Sequence, residues 1–296
     1  MNSSLPDCHR FTIQPVRVGY MTTVLAPYLL PDGFGRPALA ALLREGSLVT
    51  EAGRLAVHKG AARRTRWKTP YAARSVSRAA EPVLLIPGFL AGDWTLRQMA
   101  AGLRERGFRT YRSHIHANVG CTLDAAALVE AHLERIAERR GSRVQIVGHS
   151  LGGMIARGIA ARRPDLVSGI VTMGSPMLAP AAHHRLLTGG VTVLNRLSAA
   201  GLPGFMSQEC VSGPCAEASF HEVRQPLPHG VAMTNVYSRR DGIVDWKACI
   251  DPDGVAVEVR ASHIGLAVDP RVLSVVGEAL VRQTTGVAAL TAVETA

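Results

Sequence analysis

Three side chains far apart in this sequence, Ser150, Asp241 and His263, have the types and settings needed to turn a hydroxyl into a nucleophile. Ser150 ends the apolar run Val144-Gln145-Ile146-Val147-Gly148-His149 and is flanked by Gly148 and Gly152. The pattern G-x-S-x-G predicts a strand, a very tight turn and a helix that starts at once, lifting the hydroxyl above the end of a sheet. A serine is a weak nucleophile until a base takes its proton, and the base works best when a carboxylate fixes its tautomer. An acid and then a histidine are therefore expected downstream.

The acid lies in Ser238-Arg239-Arg240-Asp241-Gly242-Ile243-Val244-Asp245-Trp246, after the apolar stretch Val231 to Tyr237. Asp241 is preferred because it falls at the strand's carboxyl end, with Gly242 allowing a turn; Asp245 is its rival. Of eleven histidines, His263 stands directly after the strand-like Val255 to Val259, on the sheet edge expected for Ser150 and Asp241. An oxyanion formed at the attacked carbonyl needs two donors in place. These are expected to be the N–H of Leu151 and, from Pro87-Gly88-Phe89-Leu90-Ala91-Gly92, the N–H of Phe89.

The elements that must hold these groups begin at Pro82. Val83 to Ile86 reads as a strand buried on both faces. A helix from Trp94 to about Arg106, capped by Asp93, a strand over Phe108 to Ile115 and a long helix from Thr122 to Arg140 follow. After Val144 to Gly148 come a helix over Leu151 to Arg162, thinned by Gly152, Gly153 and Gly158, and a strand over Val167 to Met173. Strand and helix in alternation require a parallel sheet. Val231 to Tyr237 and Val255 to Val259 add strands, and a helix over Val272 to Arg282 closes the pattern.

Between residues 176 and 228 the alternation fails. An insertion of this size is expected to overhang Ser150 as a cap, and Leu186, Leu187, Val191, Leu194, Leu197, Leu202, Phe205 and Met206 offer it an apolar lining. His116 and Asn118 lie near the same edge and read as loop packing, Cys121 as structural, and Trp94 and Trp246 as core or wall residues.

The formal net charge is +10, and ahead of Glu81 twelve basic residues face four acidic ones. Residues 1–80 are therefore read as a basic lead segment that packs partly on the main domain, residues 81–296, with a helix around Ala38 to Arg44. Such a segment suits peripheral contact with an anionic membrane; without a nucleic-acid-reading motif, no nucleic-acid partner is expected. Five cysteines are too few for a disulfide scaffold, and none shows C-x-x-C spacing. Cys210 and Cys215 either close a small loop or stay free. Val18 to Leu30 follows Arg10 and Arg17, but Pro27 and Pro31-Asp32-Gly33 interrupt a leader pattern, so a cytoplasmic location is expected, with secretion as the alternative. The uncharged run Leu166 to His184 is broken by glycines and prolines and predicts no membrane span.

Pro87-Gly88-Phe89, Gly148-His149-Ser150-Leu151-Gly152, Ser238 to Val244 and Ser262-His263-Ile264-Gly265-Leu266, in that order, resemble the α/β-hydrolase superfamily in its lipase and esterase branch. Many relatives have His-Gly where this chain has Pro87-Gly88. The resemblance spans about Pro82 to Arg282. It implies an α/β-hydrolase fold, a mostly parallel central sheet flanked by helices, with a cap or lid inserted after the strand that follows the nucleophile helix. It also implies a Ser-His-Asp esterase acting on a small, lipophilic ester, with no cofactor or metal. An acyltransferase, thioesterase or amidase would use the same triad, and a non-catalytic binding protein of this fold is the remaining alternative.

Overall fold

The computed structural model describes residues 25–66 and 81–285. Its centre is a six-stranded, wholly parallel sheet in the order β2-β1-β3-β4-β5-β6. The strands are β1 (Val83–Ile86), β2 (Thr110–Arg112), β3 (Val144–His149), β4 (Val167–Met173), β5 (Ala232–Tyr237) and β6 (Val255–Glu258). Every residue of β1, β3 and β4 is buried, as continuous apolar runs require when helices cover both faces.

Alternate residues of these strands feed two cores. Leu84, Ile86, Ile146, Ile170 and Met233 pack with α3 (Thr122–Arg140) and α4 (Leu151–Arg162). Val83, Leu85, Val147, Val171 and Val236 face the other way, toward α2 (Arg97–Glu105) and α8 (Pro270–Thr285). Val129, Leu133 and Ile136 form the buried stripe of α3, whose end turns through Gly141 at φ 62°. The long helix and the central strands thus fall where the hydrophobic pattern places them.

Several local expectations need correction. Asp93 caps no helix: Asp93–Leu96 is a 3₁₀ turn leading into α2, and the carboxylate accepts instead from the Ser113 N–H and hydroxyl and the His114 N–H. The strand after it is only Thr110–Arg112, on the sheet's edge. Gly158 is not needed to keep α4 close, since an added Cβ would meet Glu222 at an ordinary 3.4 Å; at Gly152 it would strike the Ile86 carbonyl at 2.2 Å. Residues between β4 and β5 are not an irregular stretch but contain three helices, α5 (Arg185–Ala199), α6 (Glu209–Ser212) and α7 (Pro214–Val223).

Ahead of the sheet, the short helix expected around Ala38 is a 3₁₀ helix, Leu39–Ser47, which runs on into the 19-residue α1 (Leu48–Arg66). The stretch is therefore largely helical up to Arg66, and the reason it escaped notice is that α1 has no apolar stripe. Val49 and Val57 are exposed, whereas Glu51 is buried. The charged residues Arg10, Arg17, Lys68, Arg74 and Arg78 and the leader-like stretch up to residue 24 lie outside the described residues. Among the described residues no helix is long and apolar enough to cross a membrane.

Candidate active site

β3 ends in the turn the glycine pattern predicts. Ser150 sits at φ 53°, ψ −123°, a conformation a non-glycine residue adopts only under strain. The surroundings hold it there: its N–H donates to the Met173 carbonyl at 2.8 Å, and the Gly153 N–H donates to its own carbonyl at 2.9 Å. Side chains at Gly148, Gly152 or Gly153 would each collide with neighbouring atoms at 2.5 Å or less. The strand must pass this close to the helix for the serine to stand at the helix N-terminus, where the N–H groups point outward.

Asp241 and His263 meet. Nδ1 of His263 lies 2.6 Å from Oδ2 of Asp241, and both residues are buried. The other carboxylate oxygen, Oδ1, accepts from the Ile243 and Val244 N–H groups, each at 2.8 Å. One oxygen is thus fixed by its own loop and the other by the imidazole, so the carboxylate cannot rotate away. Burial alone would lower the imidazole pKa, but the charge and hydrogen bond of Asp241, with the charge of Glu45, outweigh it and hold His263 above its ordinary value. Asp245, the rival acid, accepts instead from the Lys247 and Gly35 N–H groups and does not face the histidine.

His149, the residue before Ser150, was not singled out by the sequence. Its Nε2 donates to the His263 carbonyl at 3.0 Å, and the two rings lie 4.9 Å apart. Burial and then the neighbouring His263 press its pKa down to about 3, so it is neutral. The signal that could have found it is its place inside the elbow pattern. The Ser150 hydroxyl makes no hydrogen bond to His263.

Phe89 and Leu151 flank Ser150 in one cavity. The Phe89 loop is held by Asn118, whose side chain donates to the Pro87 carbonyl and whose main chain pairs with Leu90 and Ala91. Loop packing is therefore the role of Asn118, and its target is the segment facing the serine. His116 and Trp94 are exposed; Trp246 stacks on Tyr237 with Arg239 over its face.

The cavity beside Ser150 is lined by Leu187, Val191 and Met206 from the stretch before β5, and by Leu25, Leu29, Met154 and Val244. Of the other residues expected there, Leu194 is buried with Val191 and Met206, Leu197 and Phe205 pack against that cluster, and Leu186 and Leu202 are exposed.

Cys121, Cys210 and Cys215 bring three sulfurs within 4.8 Å of one another, but Cys215 is already engaged in a disulfide, so the trio does not offer three thiolates to a metal. Cys210 is a free thiol and does not close a loop with Cys215. The hydrogen bond shared with Cys210, and then burial, push the Cys121 thiol up, in keeping with a structural role.

Residues 81–191 match the family model described as alpha/beta hydrolase fold, and the parallel sheet with Ser150 on the turn after β3 agrees with it. The chain has the α/β-hydrolase fold. Within that fold, the mature form of lipase BlEst2 from Bacillus licheniformis is similar over 72% of this chain and 96% of its own, at 13% identity and a TM-score of 0.54. Its propeptide form is similar over 74% of this chain and 53% of its own, at 15% identity and a TM-score of 0.55. A soluble variant of monoglyceride lipase from Saccharomyces cerevisiae, solved with a substrate analog, is similar over 71% of this chain and 89% of its own, at 12% identity and a TM-score of 0.50. No curated protein matches the sequence.

The helix that follows Ser150 is also anchored by charge. Arg157 of α4 is 1% exposed and donates to Asp251 at 3.0 Å, Asp253 at 2.9 Å and the Gln225 carbonyl at 2.7 Å. It ties the helix behind Ser150 to the β5–β6 connection. An arginine in the middle of an apolar helix was the available signal.

Proposed function

We propose that the protein is a serine hydrolase that cleaves carboxylic esters with a lipophilic acyl or alcohol part. The observation that supports this most directly is the buried Asp241–His263 pair at the same sheet edge as Ser150 on its strained turn. In this reading Ser150 Oγ attacks the ester carbonyl while Nε2 of His263 takes its proton. The imidazolium is stabilised by Asp241, and the oxyanion by the N–H groups of Phe89 and Leu151. Collapse of the tetrahedral adduct breaks the ester C–O bond, and His263 returns the proton to the departing alcohol. Water, deprotonated by His263, then attacks the acyl-enzyme and frees the acid and Ser150.

The aliphatic lining of the cavity supports a lipophilic substrate, with the helices before β5 as its cap. The test is labelling with a fluorophosphonate, followed by a series of p-nitrophenyl esters of increasing acyl length. The expected result is a single label on Ser150 and a kcat/KM that rises from acetate to longer chains. Absence of both label and turnover in the folded protein would remove the reading. Added alcohols and amines in the same assay separate hydrolysis from acyl transfer.

A further inference from the structure

The loops carrying Asp241 and His263 are joined by carboxylates that come from neither loop. Glu45, in the 3₁₀ helix ahead of α1, accepts through Oε1 from the Gly242 N–H and the His263 N–H, each at 2.9 Å, and through Oε2 from the Ile264 N–H at 3.2 Å. One carboxylate therefore spans the acid loop and the base loop. Glu51, in the first turn of α1 and 1% exposed, accepts from the Ser262 N–H at 2.8 Å and the Ser262 hydroxyl at 2.6 Å, and is itself steadied by the Ser47 hydroxyl. Arg54 of α1 adds an ion pair at 2.8 Å to Asp269, at the entrance of α8.

The two loops are shaped to admit this segment. A Cβ on Gly242 would lie 2.3 Å from the Ala41 carbonyl, and one on Gly265 would lie 2.0 Å from Oε2 of Glu51. Gly242 is not among the residues at positive φ, so its smallness, rather than the turn expected of it, is what the fold uses. The ends of β5 and β6 leave main-chain N–H groups that the sheet cannot satisfy, and hydrogen bonds to ionised acceptors are the stronger kind.

We infer that Glu45 and Glu51 are positioning residues of the active site, and that the segment from Leu39 through α1 is a clamp that fixes the acid and base loops relative to each other. The inference rests on the serine-hydrolase reading for its effect on turnover. The clamp sets the spacing on which the Asp241–His263 hydrogen bond depends, and Glu45 adds a negative charge behind the imidazole. The charged and titratable groups facing His263 are Asp241 from the β5 loop, neutral His149 from the elbow and Glu45 from the clamp, with Glu51 one residue away on Ser262.

The experiment uses the full chain with Glu45→Gln, Glu45→Asp and Glu51→Gln. It measures kcat and KM on a soluble ester, the pH dependence of kcat/KM, and the His263 titration by imidazole NMR. Glu45→Gln keeps the shape and removes the charge. It is expected to lower kcat roughly 10- to 100-fold, by the sensitivity of catalysis to small misplacements, with KM within about twofold. It should also move the His263 pKa, and with it the acid limb of kcat/KM, to lower pH. Glu45→Asp keeps the charge but is too short to span both loops, so it should lose kcat with a smaller shift of the limb. A wild-type kcat and an unmoved His263 titration in Glu45→Gln would overturn the clamp, as would full turnover in both Glu45→Asp and Glu51→Gln. Because the NMR titration needs no turnover, the shift remains readable if the wild-type chain cleaves no ester. An inactive wild type whose His263 still responds to Glu45 would sink the hydrolase reading and spare the clamp.

Discussion

Nε2 of His149 donates to the main-chain carbonyl of His263 across 3.0 Å, tying the turn that presents Ser150 to the loop that presents His263. The two loops belong to strands that are not neighbours, β3 and β6, so the sheet alone does not register them. His149→Leu removes this tie without touching a charge, since His149 is neutral with its pKa pressed to about 3. Ester kcat should fall about tenfold while the acid limb of the pH profile stays in place. A profile displaced as far as that of Glu45→Gln would contradict the assignment.

The choice between the two acids is decided by a pair of substitutions. In Asp241→Asn the oxygen facing the Ile243 and Val244 N–H groups stays an acceptor, which turns the amide nitrogen toward His263 and forces the wrong tautomer. Turnover should drop by roughly 10³- to 10⁴-fold. Asp245→Asn alters only contacts to Lys247 and Gly35 and should stay within about threefold of wild type. Steady-state assays of the two variants side by side check this.

The proposed mechanism requires His263 to be neutral, and the structure holds its pKa above the ordinary imidazole value. The acid limb of kcat/KM should therefore have its midpoint above about 6.5. The stability consequence has a definite sign. A histidine whose pKa is raised on folding stabilises the fold below its unfolded value, and that contribution is lost as pH rises through the raised one. A midpoint below 6, measured by pH-rate profile, would contradict the geometry.

The strained turn at Ser150 should be visible in stability. Ser150→Ala keeps a side chain at φ 53° and should melt close to wild type, whereas Ser150→Gly removes the Cβ and should gain about 1 kcal/mol. Both should lose at least about 10³-fold in turnover. Calorimetry on the pair tests whether the strain is held for function.

Arg157→Met leaves the buried Asp251 carboxylate without its partner and should cost roughly 3 kcal/mol in urea unfolding. The Ser150 label should survive at low temperature, because no reacting group is moved.

The central strands, α3 and the elbow were legible because each is written in short-range pattern: a continuous apolar run, a 3.6-residue stripe, glycines around a serine. Asp241 and His263 were legible for a related reason, since each directly follows an apolar strand and the strand ends share one edge. The Asp93 cap failed because a cap and a bond to a distant loop look alike in sequence; which N–H groups reach the carboxylate depends on where Ser113 comes to lie. α1 failed more completely. Its docking uses Glu51 and Arg54 rather than an apolar face, and polar docking has no period.

By itself the sequence determined a parallel sheet, a serine on a tight turn, and an acid and a histidine at strand ends in the right order, because backbone sterics and apolar burial act over a few residues. Only the tertiary structure decided what surrounds those groups. It placed His149 against His263, Arg157 against Asp251, and two carboxylates from a basic N-terminal segment against the loop of Ser262 and His263. These are hydrogen bonds and ion pairs between groups 94 to 219 residues apart, and an unsatisfied N–H at a strand end does not announce in sequence which distant acceptor will meet it.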